Sequence, residues 1–406
     1  MAKSDTTRRH AAASDRRAGD TNAGEAPNSG TRDSGGTNVG DTRGDGLDAG
    51  VSTAGEAPDR FDARALVGFA DALLLAAGLD DEKSRDVAEV LVEGDLLGHD
   101  THGLLLLAGY LRELGQGRMA ASGTPDVIAE RASVATWDGR RLPGPWLVRR
   151  ALRWAAPRAR EHGAATVAIR RSHHIACLAA YLEEAAREGL MVLIASSDPA
   201  SASVAPFGGT QAVFTPNPLA VGIPASAGPV MIDISASLTT NGMSNRLQAL
   251  GERGAHAWWL DAEGRPSHDP AVLSAQPPGT ILPLGGLDAG HKGYGLALLI
   301  EALTGGLSGH GRADPSEGWG ATVFVQVYDP AAFAGADPFL RQSDWVVDAC
   351  HGSAPRDPDR PVRLPGERGL ARRREQLERG VALHPAILPA LREWADRLGV
   401  KPPAAI

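Results

Sequence analysis

From Arg131 onward the chain alternates short β-branched runs with helical stretches, and this alternation restricts it to a sheet covered by helices. The runs fall at 133–137, 166–169, 191–195, 230–234 and 322–327. Apolar residues at helical spacing fill about 146–161, 176–188 and 293–304. Three helices are expected ahead of them. Asp62 can cap the first, which carries Leu66, Phe69, Ala70, Leu73 and Leu74 and stops at Gly78. The second runs from about Asp81 to Leu97, and the third from Leu104 to Leu114 before Gly115. A last amphipathic helix over about 385–398 could fold back on these. The expected class is α/β, or α+β: a helical part at 59–130, joined by C-terminal helices within 366–406, and a larger mixed-sheet part at 131–365.

Residues 1–58 hold only Met1, Val39, Leu47 and Val51 as large aliphatics, too few to offset the entropy of ordering, so a disordered tail is expected there. The pairs Arg8-Arg9 and Arg16-Arg17 are not followed by the apolar stretch of a signal peptide. A formal charge of -8 argues against nucleic acid, which needs a concentrated basic face, and favours a small-molecule partner. The apolar run that begins at Leu296 is cut by Glu301 and Gly305, short of the ~20 residues of a membrane span. Two cysteines, Cys177 and Cys350, are too few for a disulfide framework or a Cys-rich metal site, and a reducing cytoplasm fits them.

No Gly-x-Gly-x-x-Gly stands between a strand and a helix. The nearest match, Gly44 to Gly50, has the wrong spacing and lies in the tail. Walker A and Gly-x-Ser-x-Gly runs are also missing, which lowers the ordinary Rossmann, P-loop and hydrolase assignments. His99-Asp100-Thr101-His102-Gly103 places two imidazoles three residues apart at an expected helix start. That spacing serves a metal or a proton transfer, or else a capped helix with Asp100 or Thr101 as the cap. Arg170-Arg171-Ser172-His173-His174 follows one expected strand and Ser196-Ser197-Asp198-Pro199 another. Each alone reads more readily as an ordinary loop, and together they point to a shared crevice at strand carboxyl ends. Gly285-Gly286 and Gly290-His291-Lys292-Gly293-Tyr294-Gly295 lead into the apolar helix. Free N–H groups and the Lys292 ammonium could bind an anion there, and the alternative is a Gly-rich turn with a solvated lysine, where glycine also permits tight packing.

Six blocks in order resemble the malate/L-lactate dehydrogenase family of NAD(P)-dependent oxidoreductases that lack a Rossmann fold, a group including ureidoglycolate, diketogulonate and cyclic-imine reducing enzymes. They are Gly98 to Gly103 with Tyr110, Ser172-His173-His174, Ala205 to Gly209, Asn217-Pro218, Asp233 to Ser237, and His291 to Leu296, within about 61–400. The resemblance implies hydride transfer between NAD or NADP and C2 of a 2-hydroxy or 2-oxo acid or a cyclic imino acid. It assigns His102 as acid/base, with Asp233 orienting it and Thr101 in the same relay, and His174 as a rival. It places Ser172, His174, Ser197, Asp198, Pro199, Asn217, Ser235, Lys292 and Gly293 along the cofactor and substrate cleft, with no metal, and implies a homodimer. Two positions depart from the family. Leu106 stands where relatives carry a carboxylate-binding arginine, leaving Arg112, Arg171 or Arg246 to replace it, and Met243 stands where many have lysine. The competing readings are a metal-dependent hydrolase or lyase using His99, His102, His173 and His174, and a non-catalytic relative.

Overall fold

The computed structural model describes residues 59–316 and 318–406, and the expected tail over 1–58 lies outside them. A short strand β1 (Arg60–Phe61) precedes helix α1 (Ala63–Ala76), whose cap is the expected one: Asp62 Oδ1 accepts from the Ala65 N–H at 2.8 Å. Helix α2 (Asp81–Leu97) ends where Gly98 takes a left-handed φ of 87°. A 3-10 turn at Leu104–Leu106 then runs into α3 (Leu107–Gly115). Neither Asp100 nor Thr101 caps that turn. The capping carboxylate comes from α2 instead, where Asp95 Oδ2 accepts from the Leu104 N–H at 2.8 Å.

The sheet-forming part follows as β2 (Asp126–Arg131), β3 (Val134–Asp138), α4 (Gly144–His162), β4 (Ala164–Ser172), α5 (Glu183–Arg187), β5 (Met191–Ser197), β6 (Pro218–Ile223), β7 (Val230–Ser235) and α6 (Asn241–Leu250). Three short strands, β8 (Trp259–Leu260), β9 (Pro266–Ser267) and β10 (Thr280–Ile281), form a small sheet of their own. Helix α7 (Gly286–Glu301), strand β11 (Ala321–Tyr328), helices α8 (Ala336–His351) and α9 (Glu367–Arg379), strand β12 (Val381–Ala382) and helix α10 (Ile387–Leu398) complete the chain. The seven-stranded sheet has the order β2-β3-β4-β11-β5-β6-β7, with β3 parallel to β4 and the other neighbours antiparallel. This mixed α/β architecture is the expected one and is not a doubly wound parallel sheet.

Alternation along β11 shows how the sheet is covered on both sides. Val323, Val325 and Val327 join the core formed with α1, α2 and α4, while Phe324 joins a second core with Leu247 of α6 and with Ala297 and Ile300 of α7. Leu391 and Ala395 of α10 are buried with α1 and α3, so the closing helix does fold back on the first helices. Both β4 and β5 run antiparallel to the central β11, so they point the same way and their carboxyl ends lie at one edge of the sheet.

Helix α7 begins earlier than its sequence indicates. Gly290 to Gly295 do not lead into the helix but lie inside it, because the chain enters through Gly285 at a left-handed φ of 97°. The interior glycines are needed for packing: a Cβ on Gly293 would lie 2.4 Å from the Leu284 N, and one on Gly290 2.9 Å from the Phe207 ring. Lys292 is therefore in the second turn, away from the free N–H groups of the helix start.

Candidate active site

His102 lies on the turn between α2 and α3, and the fold fixes that turn tightly. Asp95 is buried and its carboxylate occupies the space beside Gly103, where a Cβ would sit 2.2 Å from Oδ1. Burial pushes the Asp95 carboxyl up to about 8. On the ring itself, Nδ1 lies 2.9 Å from Thr101 Oγ1, leaving Nε2 as the nitrogen available to a reacting group. The amino end of α6 closes in from the other side, since a Cβ on Gly242 would lie 3.4 Å from Thr101 Cβ and 3.8 Å from His102 Cε1. Thr240 Oγ1 accepts from the Met243 N–H at 3.1 Å and satisfies one of the free donors of that helix start.

The residues after β4 build the opposite wall. The His174 ring stacks on His102 with centroids 6.1 Å apart, and Trp319 lies over His174 at 4.7 Å. His174 Nδ1 accepts from the Ala176 N–H at 3.2 Å and lies 3.0 Å from the Tyr110 hydroxyl, so a neutral ring carries its proton on Nε2. His173 is fully buried, edge-on to Tyr110 and Trp319, with Nε2 3.5 Å from Glu113 Oε2. Burial pushes His102 and His173 down to about 4, and His174 well below its ordinary value. In the free protein at neutral pH all three imidazoles are thus uncharged, and His102 is in the form that accepts a proton.

These depressed values carry a stability consequence. Between about pH 6.5 and about pH 4 the unfolded chain holds protons on these histidines that the folded chain does not. Their contribution is therefore complete above the unfolded value and lost as pH falls through the folded one. Replacing the buried His173 by glutamine is expected to reduce the fall in melting temperature over that interval. Thermal unfolding of both proteins at a series of pH values checks this.

The carboxyl ends of β4 and β5 open into one cleft of about 500 Å³, lined by Ser172, Asp198 and Pro199 together with Arg140, Arg141 and Arg171. Arg140, Arg141 and Arg171 have φ of 50°, 59° and 49°, backbone values that side-chain-bearing residues rarely hold without a local requirement. Arg171 is committed to Asp138, its Nε donating to both carboxylate oxygens at 2.9 Å. Burial raises the Asp198 carboxyl.

Ser197 and Asn217 meet around Glu301. Glu301 Oε1 accepts from Ser197 Oγ at 2.8 Å, from Asn217 Nδ2 at 2.9 Å and from Arg312 Nε at 2.7 Å. Asp233 is placed differently from the sequence expectation. Its Oδ2 accepts from the Ala179 N–H at 2.9 Å, and the imidazole that acts on it is His99, not His102. Ser235 Oγ donates to the Ser237 carbonyl at 2.9 Å at the end of β7. On α7, Lys292 is exposed and Gly293 is buried.

Sequence reasoning did not single out Asp95, Trp319, Glu301 or Arg312. Glu301 left a signal, as a carboxylate interrupting the apolar face of α7. Trp319 left none, because spacing does not reveal a ring brought 178 residues back to Arg141, whose Nη2 donates to the Trp319 carbonyl.

Comparison with known proteins places this geometry. The model of the malate/L-lactate dehydrogenase family matches residues 61–392. The (2R)-3-sulfolactate dehydrogenase (NADP(+)) of Chromohalobacter salexigens is 34% identical over 336 residues, covering 80% of this chain and 95% of that protein. The L-lactate dehydrogenase of Cupriavidus necator is 32% identical over 340 residues, covering 82% and 96%. Among solved structures, the delta1-piperideine-2-carboxylate reductase of Pseudomonas syringae superposes with a TM-score of 0.73 at 26% identity, covering 83% of this chain and 99% of that one. The chain belongs to the malate/L-lactate dehydrogenase family.

This membership decides against the hydrolase or lyase reading, and so does the arrangement of the four histidines. His102, His173 and His174 group with Tyr110 and Trp319, whereas His99 faces Cys177 and Asp233. Among the described residues no helix is long and apolar enough to cross a membrane.

Proposed function

We propose that this dehydrogenase transfers a hydride between a nicotinamide cofactor, NAD or NADP, and C2 of a small 2-hydroxy or 2-oxo acid or cyclic imino acid. In this reading His102 is the acid/base. The observation that carries it is the setting of the His102 ring: Thr101 on Nδ1, the start of α6 on one side, His174 on the other, and Nε2 left for the substrate.

The bound cofactor supplies or accepts the hydride, and the protein does the rest. As a neutral ring, His102 can take the hydroxyl proton during oxidation. In reduction it must carry a proton, and a substrate carboxylate close by raises its affinity for one. Ser172, Asp198 and Pro199 are our candidates for cofactor contacts in the cleft, with the arginines along its rim suited to phosphate charge. His174 would pack against the reacting ring. Ser197 and Asn217, fastened to Glu301, and Ser235, Lys292 and Gly293 complete the proposed set, with Gly293 contributing backbone alone.

Leu106 cannot pair with a carboxylate, and Arg171 is held by Asp138. Arg246 fits the task best. It lies one turn along α6 from Gly242, on the same helix face, with Nη1 4.0 Å from Asp100 Oδ2 beside the His102 turn. Arg246→Ala is expected to raise KM for a 2-oxo acid by on the order of tenfold or more while changing kcat much less. Steady-state kinetics separate the two.

We also propose a cytoplasmic homodimer. Cys177 and Cys350 are both free, which suits a reducing compartment. Leu287, Leu298, Leu299 and Leu307 form an exposed apolar stripe along α7 and the turn after it that a second copy would cover. The functional proposal is tested by titrating the protein with NADH and NADPH, then assaying a panel of 2-oxo acids and cyclic imines. Binding of one cofactor and its oxidation by a panel member are expected, and binding of neither would refute it.

A further inference from the structure

Next to the site lies a cluster to which the proposed function gives no role. The donor atoms of His99, Cys177 and Asp233 all lie within 4.8 Å of one another. They come from three separate places in the fold: the turn after α2, the loop after β4 where Cys177 precedes the 3-10 turn Leu178–Tyr181, and strand β7. Cys177 is buried, and His99 and Asp233 are partly so. Among the described residues no hydrogen bond or ion pair joins the three side chains to one another. Among the described residues the Asp233 carboxylate accepts through Oδ2, leaving Oδ1 for another partner. Three donor atoms thus converge with no hydrogen bond among them, His99 acting on Asp233 through electrostatics alone.

We propose that His99, Cys177 and Asp233 form a binding site for a thiophilic divalent cation of the zinc class, with three protein donors and a fourth position for water. Nitrogen, sulfur and carboxylate oxygen are the donors zinc selects. Tetrahedral zinc at ordinary bond lengths sets donor separations of about 3.5 Å, so closure by about 1 Å brings the three into place. His99 is three residues from His102 on the same turn. Occupation therefore ties that turn to β7 and, on the reading that His102 carries the proton, slows turnover.

The test uses the full chain freed of metal with a chelator. Cobalt(II) should bind with one equivalent and give a near-ultraviolet thiolate-to-cobalt charge-transfer band that zinc abolishes by competition. Cys177→Ala should lose the band and bind zinc at least tenfold more weakly. Cys350→Ala, which alters the other cysteine, should keep both. Should Cys177→Ala fail to fold, His99→Ala is measured in the same way, with the same tenfold loss of zinc affinity expected. A missing band, or zinc affinity unchanged in these site variants, would overturn the proposal. Zinc bound at this site without any loss of turnover would leave the site standing and overturn the link to His102.

Discussion

Replacing His102 by alanine is expected to lower kcat by on the order of a hundredfold or more while leaving cofactor affinity nearly unchanged. General acid–base groups contribute about 10²- to 10⁴-fold, equivalent to about 3–5 kcal/mol of barrier. Cofactor affinity should be spared because the proposed cofactor cleft is lined by residues from β4, β5 and the segment before β11, not by the α2–α3 turn. His174 is the rival, and the two rings differ in how they are held. His174 Nδ1 is taken up by the Ala176 N–H and the Tyr110 hydroxyl, and its face is covered by Trp319. His174→Ala should therefore cost more melting temperature and less kcat than His102→Ala. Pre-steady-state absorbance of the reduced cofactor, with thermal unfolding of each variant, distinguishes them, and equal rates for parent and His102→Ala would remove the assigned role.

The second large effect is expected at a residue with no chemistry of its own. Gly103→Ala puts a methyl group where Asp95 Oδ1 already lies, 2.2 Å from the ideal Cβ position. The carboxylate cannot simply swing away, because Asp95 is buried and holds the Leu104 N–H at 2.8 Å. Overpacking costs about 1–3 kcal/mol, and an unsatisfied buried polar group about as much again. We therefore expect a destabilisation of about 3 kcal/mol, measured by denaturant unfolding. Activity should fall as well, since His102 precedes Gly103 directly and small displacements of a catalytic group cost on the order of a hundredfold. Adding Asp95→Ala to Gly103→Ala should recover part of the stability by making room for the methyl group. Failure to do so would show that the close approach is not the cause.

Much of the scaffold was legible in sequence because local rules governed it. The Asp62 cap, the extent of α2 and the β-branched runs that became β3, β4, β5, β7 and β11 each follow from propensity and periodicity. Strand β2 was hidden because it lies at the sheet edge with all six residues exposed, so no buried face imposed an alternation. The start of α7 was misplaced because glycines read locally as a turn, whereas here contacts with Leu284 and Phe207 demand them inside a helix. Residue blocks also identified the histidine-bearing turn, but not what supports it. The Trp319 cover is a long-range contact, the Asp95 cap reaches across a turn from the preceding helix, and their sequence neighbourhoods are ordinary.

The family assignment rests on residues 61–392, while the substrate reading rests on a few side chains, with Leu106 the main departure. Transfer of deuterium tests the central claim most directly. Reduced cofactor carrying deuterium at both C4 positions of the nicotinamide is incubated with the protein and the best 2-oxo acid or cyclic imine, and the product is examined by mass spectrometry and NMR. Our account predicts one deuterium at C2 of the product, with the yield greatly reduced in His102→Ala. Product without deuterium at C2, or cofactor that stays reduced in the presence of every substrate of the class, would contradict it.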